Sequence, residues 1–405
     1  MISTPKSLRL QIAIFGRTNV GKSTLMNLLC GQNVAITSEL PGTTTDVVEK
    51  AMELIPLGPV LFLDTAGFDD HSRLGDKRLE RTIKAFDRAD VALLIVTPGC
   101  WGEAEARICS LAEERKINLM IIVNKIDLME LTPEFMTLLR GKSDFIITTS
   151  AVGESRDLLL NKFKDLLIAA APEDFLQPPP FLTDLVPRGG TVVLIVPIDI
   201  QAPKGRLILP QVQTVRDSLD CDCICVVVKE NRYVELLKEL KNPPDLVICD
   251  SQVVDFMVAN TPENIKCTTF SIIFSRLKGD MKLFYDGAMH IHNLRDGDRV
   301  LIAEACTHHA TCDDIGRVKI PRWLKNKLNI NLEFDFVSGG DFPADLTPYK
   351  LIIQCGSCMI NRRETLRRLE NARNANIPIV NYGMCISWCQ GVLERVLEPF
   401  NIFHC

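Results

Sequence analysis

The segment with the clearest chemistry runs from Gly16 to Ser23 and reads Gly-Arg-Thr-Asn-Val-Gly-Lys-Ser. It follows an apolar run over residues 10–15, which predicts a strand, and it precedes a helical pattern that begins at Leu25. In such a glycine-rich turn, backbone N–H groups at a helix N-terminus converge on phosphate oxygens, a lysine neutralises them, and a serine hydroxyl can bind Mg²⁺. The segment therefore predicts a triphosphate site. Its expected binding residues are Gly16, Asn19, Val20, Gly21, Lys22, Ser23 and Thr24.

Two later motifs supply groups for the metal that accompanies a triphosphate. The hydroxyl-rich run Thr43-Thr44-Thr45 comes first, and we expect Thr44 to contact Mg²⁺ together with Ser23, although Thr43 and Thr45 are alternatives. The apolar run 61–63 then leads into Asp64-Thr65-Ala66-Gly67. A carboxylate at that strand end can reach the coordination shell of the Mg²⁺.

A third motif reads the base. The apolar strand predicted over residues 119–123 ends in Asn124-Lys125-Ile126-Asp127. The Asp127 carboxylate can accept two hydrogen bonds from guanine that adenine cannot supply, so an ATP complex would leave this acceptor unpaired. Ser150 and Ala151, after the strand predicted over residues 145–149, complete the pocket. The sequence therefore predicts GTP. An ATPase-like loop followed by chance matches is the weaker alternative, because all the motifs occur in the order that a GTP site requires.

These motifs resemble the translation-factor-like GTPases, in particular those related to the tRNA-modification and ribosome-assembly G proteins, over residues 8–171. Phe68 stands where Ras-like enzymes have a water-positioning glutamine, so that route to water activation is absent. Asn19 resembles the asparagine that helps to bind K⁺ in potassium-activated relatives, where a fixed cation stabilises charge in the transition state. A simple turn-forming role for Asn19 is the alternative. The resemblance implies a GTP hydrolase that uses Mg²⁺ and K⁺, with Lys22, Asn19, Asp64 and Gly67 as catalytic residues.

The length of 405 residues exceeds one GTPase domain, so one or two further domains are expected. A proline-rich linker at 177–180 follows the first domain, and strands alternate with helices beyond it, which predicts parallel sheet pairing. The predicted fold class is α/β with three domains. They are a P-loop GTP-binding domain over residues 1–173, a small α/β domain over 181–265, and a C-terminal α/β domain over 266–405.

The middle segment contains no obvious catalytic cluster. Cys221, Cys223 and Cys225 alternate, so in a strand they would share one face; we interpret them as small buried residues, with a redox or metal role as the alternative. The small and unusually apolar unit is better suited to joining subunits than to catalysis.

The last segment places ligand candidates at two predicted strand ends. The strand 299–303 leads into Glu304, Cys306 and His308, and the strand 349–354 ends in Cys355-Gly356-Ser357-Cys358. Sites in open α/β sheets lie at such carboxyl ends. Three cysteines around a 4Fe-4S cluster leave one iron for an exchangeable ligand, here His308, Glu304 or an external molecule, whereas closed structural zinc requires a fourth protein ligand. Zinc through Cys306, His308, Cys355 and Cys358 and buried thiols without metal are the alternatives.

The whole chain resembles the family of GTPase maturases that assist assembly of the two-iron subcluster of iron-only hydrogenase. The resemblance implies that residues 181–265 form a small α/β dimerisation domain, through which a homodimer assembles. It also implies that residues 266–405 form an α/β iron-sulfur cluster domain, with a 4Fe-4S cluster held by Cys306, Cys355 and Cys358. It also implies a scaffold that carries a transient di-iron precursor, with radical-SAM hydrogenase maturases and apo iron-only hydrogenase as partners. One departure is Gln354, which replaces the histidine that usually precedes the Cys-x-x-Cys pair. The competing hypothesis is a ribosome- or tRNA-associated GTPase with a C-terminal structural zinc site.

Composition limits the remaining possibilities. Fifteen cysteines and a start without a long apolar stretch predict a reducing, cytoplasmic location, and the absence of any run of about 18 apolar residues predicts no membrane span. A net charge of −5 gives no reason to expect nucleic acid as the main partner.

Cys385 and Cys389 are expected near the same sheet end as the cysteine site. Five arginines after the cysteine site are predicted to form one face of a helix. We expect this face to be solvated, and docking of an anionic partner is the alternative. The residues are Arg362, Arg363, Arg367, Arg368 and Arg373.

Overall fold

The computed structural model of the chain describes residues 4–31, 48–65, 75–150, 155–198, 207–305, 314–400 and 402. The chain divides into two compact units, Met1–Pro178 and Pro179–Cys405. Within the described residues, no helix is both long enough and apolar enough to cross a membrane.

The first unit contains a six-stranded sheet with the strand order β2-β3-β1-β4-β5-β6. The β2–β3 pair is an antiparallel hairpin, and the other neighbours are parallel. Every residue of β1 and β4 is buried, as expected for apolar strands that helices cover on both faces. The strands are β1 Leu10–Phe15, β2 Val48–Leu54, β3 Gly58–Asp64, β4 Val91–Val96, β5 Asn118–Val123 and β6 Phe145–Thr148. The helices are α1 Lys22–Cys30, α2 Gly75–Arg88, α3 Glu103–Glu114, α4 Pro133–Arg140, α5 Arg156–Ala170 and α6 Glu173–Leu176.

Separate apolar clusters cover the two faces of this sheet. On one face Phe62 packs near Phe163 of α5, with ring centroids 6.0 Å apart. On the other face Phe15 stacks on Phe86 of α2 at 4.3 Å. Successive residues of a strand point to opposite faces, so neighbouring apolar residues serve both cores. This double cover fixes the carboxyl ends of β1, β3 and β5, from which the nucleotide motifs extend.

The second unit contains two parallel sheets. The first has the order β10-β9-β7-β8, and its last strand, β10, lies beyond the expected domain boundary at residue 265 and pairs with β9. Parallel pairing throughout confirms the prediction from alternating strands and helices. The strands are β7 Thr191–Ile195, β8 Ile224–Val228, β9 Leu246–Cys249 and β10 Lys266–Thr269. The helices are α7 Leu209–Asp220, α8 Glu230–Glu239, α9 Val254–Asn260 and α10 Phe270–Lys278.

The other sheet has the order β12-β11-β13-β14 and is also parallel. One apolar core includes residues of both sheets, for example Val193 and Val247 from the first and Val300 and Ile352 from the second. The strands are β11 Arg299–Glu304, β12 Glu333–Ser338, β13 Leu351–Gln354 and β14 Ile379–Asn381. The helices are α11 Met281–His290, α12 Ile320–Leu328, α13 Arg362–Asn374, α14 Tyr382–Gln390 and α15 Leu393–Leu397, with a π-helical turn at Ile315–Lys319.

The strand order of this last sheet creates a crevice. The chain passes from β11 outward to β12, returns across the sheet to β13, and then continues outward to β14 on the other side. Binding sites of open α/β sheets lie outside the carboxyl ends of strands at such a reversal. The reversal lies between β11 and β13, which are the two strands that the sequence predicted to carry the cysteine site.

Candidate functional site

The phosphate loop lies between β1 and α1, as predicted. Gly21 has φ +93°, and a Cβ at this position would lie only 2.4 Å from Nδ2 of Asn124, so the loop requires glycine here. The Nζ of Lys22 donates hydrogen bonds to the carbonyl oxygens of Gly16 and Arg17, both at 2.8 Å. The ammonium group is therefore held against the turn whose N–H groups are expected to bind phosphates.

The guanine motif is joined to the phosphate loop by direct hydrogen bonds. Asn124, only 1% exposed, donates from Nδ2 to the carbonyl oxygen of Val20 at 2.8 Å. Lys125 donates from Nζ to the carbonyl oxygen of Asn19 at 2.6 Å. Asp127 is exposed, as a residue that reads an incoming base must be. The fold thus brings together motifs that are about a hundred residues apart.

Asp64 ends β3 and has a carboxylate suited to a cation. Its Oδ1 is buried and has no hydrogen-bond partner within the part of the chain that the structure describes. Burial raises the pKa of Asp64 above its ordinary value, and the charges of Lys22 and Lys50 oppose that rise. A buried carboxylate oxygen without a partner fits the donor chemistry of Mg²⁺, which prefers oxygen ligands. Ser23, at the start of α1, is exposed.

Several predicted nucleotide residues cannot be placed. Ser150 follows β6 and is partly exposed. The remaining ones lie outside the described residues, so their assigned roles stay predictions; they are Thr43, Thr44, Thr45, Gly67, Phe68 and Ala151.

An ion pair between the phosphate loop and α3 was missed by sequence reasoning. Arg17 donates from Nε and Nη2 to the two carboxylate oxygens of Glu105, at 2.6 and 2.7 Å. Glu105 is 2% exposed and also accepts a hydrogen bond from the backbone N–H of Gly102 at 2.8 Å. Burial would raise the pKa of Glu105, but the hydrogen bonds from Arg17 hold it below its ordinary value. Glutamate in a first helical turn is common, so the sequence carries no specific signal for this pair.

The cysteine pair lies at the reversal of the C-terminal sheet. Cys355 follows β13, and its Sγ accepts a hydrogen bond from the backbone N–H of Ala305, which follows β11, at 3.0 Å. Burial raises the pKa of both thiols, that of Cys358 to about 11. The neighbouring charge of Arg368 opposes the rise at Cys355, and that of Lys278 opposes it at Cys358. A thiophilic metal would displace the two protons on binding.

Glu304 is buried at the end of β11. Its Oε2 lies 3.3 Å from Nε of Arg317, and its Oε1 accepts a hydrogen bond from the Tyr382 hydroxyl at 3.5 Å. A Cβ on Gly316 would lie 2.8 Å from that Oε1 and 2.1 Å from the Tyr382 hydroxyl, so the close approach requires glycine. As a metal ligand, Glu304 would have to exchange one of these contacts for the metal.

Gln354 stabilises the cysteine loop. Its Nε2 donates to Oγ of Ser357 at 2.8 Å, and Ser357 has φ +57°. Gln354 therefore fixes the turn between the two cysteines. Its own Oε1 is buried, without a hydrogen-bond partner among the described residues.

The third cysteine cannot be placed. Cys306 and His308 lie outside the described residues, and the described part of the chain contains no group of three His, Cys, Asp or Glu side chains that could hold a metal. Two of the predicted cluster ligands, Cys355 and Cys358, and the alternative ligand Glu304 are thus at the crevice, and the complete ligand set stays a prediction.

The sequence singles out two further groups of cysteines. Cys385 is fully buried in α14 and is hydrogen-bonded to Cys389. A role of either residue beside the cluster stays a prediction. Cys221 follows α7 and Cys223 precedes β8, so only Cys225 lies in the strand and the three thiols do not share one strand face. Cys221 and Cys223 are buried, as predicted, whereas Cys225 is only half-buried.

The prediction of a solvated arginine face on α13 is wrong for Arg368, which is 0% exposed. This helix packs against the sheet along the face that carries Arg368, Leu369 and Ala372. Charge alone could not distinguish this arginine from its neighbours in the sequence.

Comparison with known proteins assigns both units. Residues 11–125 match the profile described as 50S ribosome-binding GTPase. GTPase Der of Kosmotoga olearia is 32% identical over 194 residues, which cover 44% of this chain and 43% of that protein. GTPase Era of Lactobacillus helveticus is 38% identical over 117 residues (29% and 38%), and tRNA modification GTPase MnmE of Prochlorococcus marinus is 37% identical over 160 residues (38% and 33%). The chain spans less than half the length of these relatives. The first unit therefore contains a P-loop GTPase domain related to theirs.

The second unit matches two profiles of a single family. Residues 181–279 match the hydrogen maturase F dimerization domain, which includes β10, and residues 282–399 match the hydrogen maturase F tetramerization domain. Together these two matches cover more than half of the chain and abut each other within one compact unit. The chain belongs to the hydrogen maturase F family, with an N-terminal GTPase domain related to Der, Era and MnmE.

Proposed function

We propose that this protein hydrolyses GTP and serves as an iron-sulfur scaffold that assembles a two-iron precursor and transfers it to iron-only hydrogenase. The observation that carries the proposal is the pair of half-buried thiols, Cys355 and Cys358, at the reversal of a parallel sheet. This pair lies in a chain that also has a P-loop GTPase domain. Radical-SAM maturases and the apo hydrogenase are the partners that such a role requires.

In the GTPase domain, the residues act by positioning and charge. Lys22 would exchange the carbonyl oxygens of Gly16 and Arg17 for phosphate oxygens, which bind an ammonium group more strongly. Asp64, together with Ser23 and Thr44, would hold Mg²⁺, which neutralises charge on the phosphates. Asn19 would contribute to a K⁺ site, and its φ of +65° already places it in a tight turn beside the Lys125 contact.

In the C-terminal domain, Cys355, Cys358 and Cys306 would hold a 4Fe-4S cluster, which supplies one iron with an exchangeable position for a further iron complex. Cys355 would be ionised on binding, and the Ala305 N–H would remain as a donor to its sulfur. The loop that carries the two cysteines is preset by Gln354 and Ser357. Glu304 or His308 would fill or vacate the exchangeable position.

The middle sheet offers a surface for self-association. Its strand β8 is at the edge of the sheet, with Ile224 61% exposed and Val227 48% exposed. An edge strand presents unpaired N–H and C=O groups, and a second copy of the strand can pair with them while covering the apolar side chains. This supports a homodimer formed through the middle domain, in line with the unusually apolar character of this unit in the sequence.

Iron and sulfide analysis after anaerobic reconstitution tests the proposal. Cys306→Ser, Cys355→Ser and Cys358→Ser should each sharply lower both contents, because a hydroxyl is a poor ligand for iron. Cys225→Ser, in the middle sheet, is the matched control and should retain them. GTP hydrolysis should survive all four changes, since the nucleotide residues lie in a unit with its own core. Full iron retention in every cysteine variant, or a colourless protein that contains zinc, would contradict the proposal and favour a structural zinc site.

A further inference from the structure

Two of the four outer strands of the second unit are covered by the chain itself. The outer strands are β10 and β8 in the middle sheet and β14 and β12 in the C-terminal sheet. All three residues of β14 are buried, and a Cβ on Gly287 of α11 would lie only 2.0 Å from the carbonyl oxygen of Ile379 in that strand. Three of the four residues of β10 are buried, and Arg395 of α15 donates to the carbonyl oxygen of Ile265, directly before β10, at 2.5 Å. Both strands are therefore enclosed by neighbouring elements.

The other two outer strands, β8 and β12, are exposed. In β8, Ile224 and Val227 are exposed, and they form the surface assigned above to the homodimer. In β12, Phe336 is 37% exposed, and none of the six residues of the strand is buried. Among the described residues, β12 pairs with β11 along one side and with no strand along the other. The second unit therefore has a second open sheet edge, which is distinct from the edge at β8.

The acidic residues of β12 are already paired within their own sheet. Asp335 accepts hydrogen bonds from Nη2 of Arg299 in β11 at 2.9 Å and from the hydroxyl of Tyr349 at 3.1 Å. Glu333 lies 3.6 Å from Nε of the same arginine. Charged side chains on an edge strand normally oppose pairing with another chain. Here the neighbouring strand neutralises the two carboxylates, so they are a weak obstacle to pairing.

The ladder with β11 determines which backbone groups of β12 point outward. The backbone N–H of Glu333 donates to the carbonyl oxygen of Asp298, directly before β11, at 3.0 Å. In a parallel ladder every second residue bonds to the same neighbouring strand, so the N–H and C=O groups of Asp335 and Val337 also point toward β11. The outward groups belong to the three other residues, Phe334, Phe336 and Ser338.

Symmetry favours a second copy of this chain as the occupant of this edge. Residues 282–399, which include β12, match the hydrogen maturase F tetramerization domain. A tetramer built as a dimer of dimers needs two different two-fold interfaces, of which β8 supplies one. The second interface occurs twice in such a tetramer, so two short edge contacts form together and reinforce each other.

We propose that β12 pairs with β12 of a second copy of this chain, antiparallel across a two-fold axis at Phe336. In this register the two Phe336 residues face each other, and their outward N–H and C=O groups form a pair of hydrogen bonds. Asp335 then lies opposite Val337 of the second copy, whereas an axis at Asp335 would place two aspartates opposite each other, which is destabilising. The count of four copies rests on the dimer proposed through β8, but the pairing of β12 does not.

Sedimentation velocity of the full chain over a range of concentrations tests this pairing. Phe336→Lys would place two lysines opposite each other, so it should raise the dissociation constant between dimer and tetramer about a hundredfold or more. Ser338→Pro removes an outward N–H and leaves the ladder with β11 intact, so it should fold and also weaken the tetramer. Met289→Lys, at a similarly exposed apolar position on α11, is the matched control and should assemble as the unchanged protein does.

Ile224→Lys, in β8, separates the two edges. Phe336→Lys and Ile224→Lys should each leave a dimer, and the double variant should be a monomer. Tetramers in both Phe336→Lys and Ser338→Pro, or an unchanged protein that never exceeds a dimer broken by Ile224→Lys alone, would overturn the inference. A dimer in Phe336→Lys together with a tetramer in Ile224→Lys would support the pairing of β12 and contradict the dimer proposed through β8. Circular dichroism of each variant verifies that it is folded.

Discussion

The Arg17–Glu105 pair gives a sharp prediction, because its two members differ in burial. Glu105 is 2% exposed, whereas the Arg17 side chain is 36% exposed. In Arg17→Met, the carboxylate would stay buried and keep the hydrogen bond from the Gly102 N–H, and an uncompensated buried charge costs about 3–5 kcal/mol. Water can approach the exposed side of this pair, so we expect Arg17→Met to lower the free energy of unfolding by about 3 kcal/mol, the low end of that range. In Glu105→Gln, Arg17 can turn toward solvent and the amide oxygen can still accept the hydrogen bond from Gly102. We therefore expect Glu105→Gln to lower the free energy of unfolding by only about 1 kcal/mol.

The same pair predicts how the difference depends on pH. The pKa of Glu105 is lowered in the folded protein, so the pair stabilises the fold above the unfolded value near 4.5 and loses this contribution as the pH falls through the folded value. In Arg17→Met, burial alone would raise the pKa of Glu105, and protonation at low pH would relieve the buried charge. The free-energy gap between the unchanged protein and Arg17→Met should therefore shrink from pH 7 toward pH 4.

Urea unfolding followed by tryptophan fluorescence measures both effects. The chain has three tryptophans, and Trp101 packs against the core of the first unit beside Gly102. Replacing Trp323 and Trp388 by Phe leaves Trp101 as the reporter of that unit. Equal losses of stability for Arg17→Met and Glu105→Gln, or a gap that grows as the pH falls, would refute the reasoning from unequal burial.

Three further changes test the nucleotide site. Gly21→Ala should weaken guanine nucleotide binding at least about tenfold, since its Cβ would lie 2.4 Å from Nδ2 of Asn124 at a positive φ; equilibrium binding of a fluorescent GDP would detect this, and unchanged affinity would count against the contact. Asp127→Asn should shift preference from GTP to xanthosine triphosphate, whose 2-oxo group needs a donor, in competitive hydrolysis assays; an unchanged preference speaks against the guanine assignment. GTP turnover should be faster in K⁺ than in Na⁺, and Asn19→Ala should erase that difference while nucleotide binding persists; equal rates in both salts for the unchanged protein remove the K⁺ role.

Much of the fold followed from local sequence. Continuous apolar runs predicted the central strands, and the run over residues 10–15 is strand β1 with the predicted bounds, because buried parallel strands need apolar residues on both faces. The phosphate loop and the guanine motif were also evident, since the backbone conformation and donors that they need are encoded in a few adjacent residues. Asn124 and Lys125 do lie against this loop in the structure.

Strand order and burial of charge were decided only by the tertiary structure. Alternating strands and helices predict parallel pairing, but they do not specify that β11 lies between β12 and β13, because the direction of each crossover depends on which faces are left to cover. Arg368 and Glu105 look like surface charges in sequence, yet each is buried beside a partner that is near only after folding: Arg368 contacts Gly339, 29 residues away, and Glu105 contacts Arg17, 88 residues away. Ionic burial depends on such distant partners, so local composition cannot predict it.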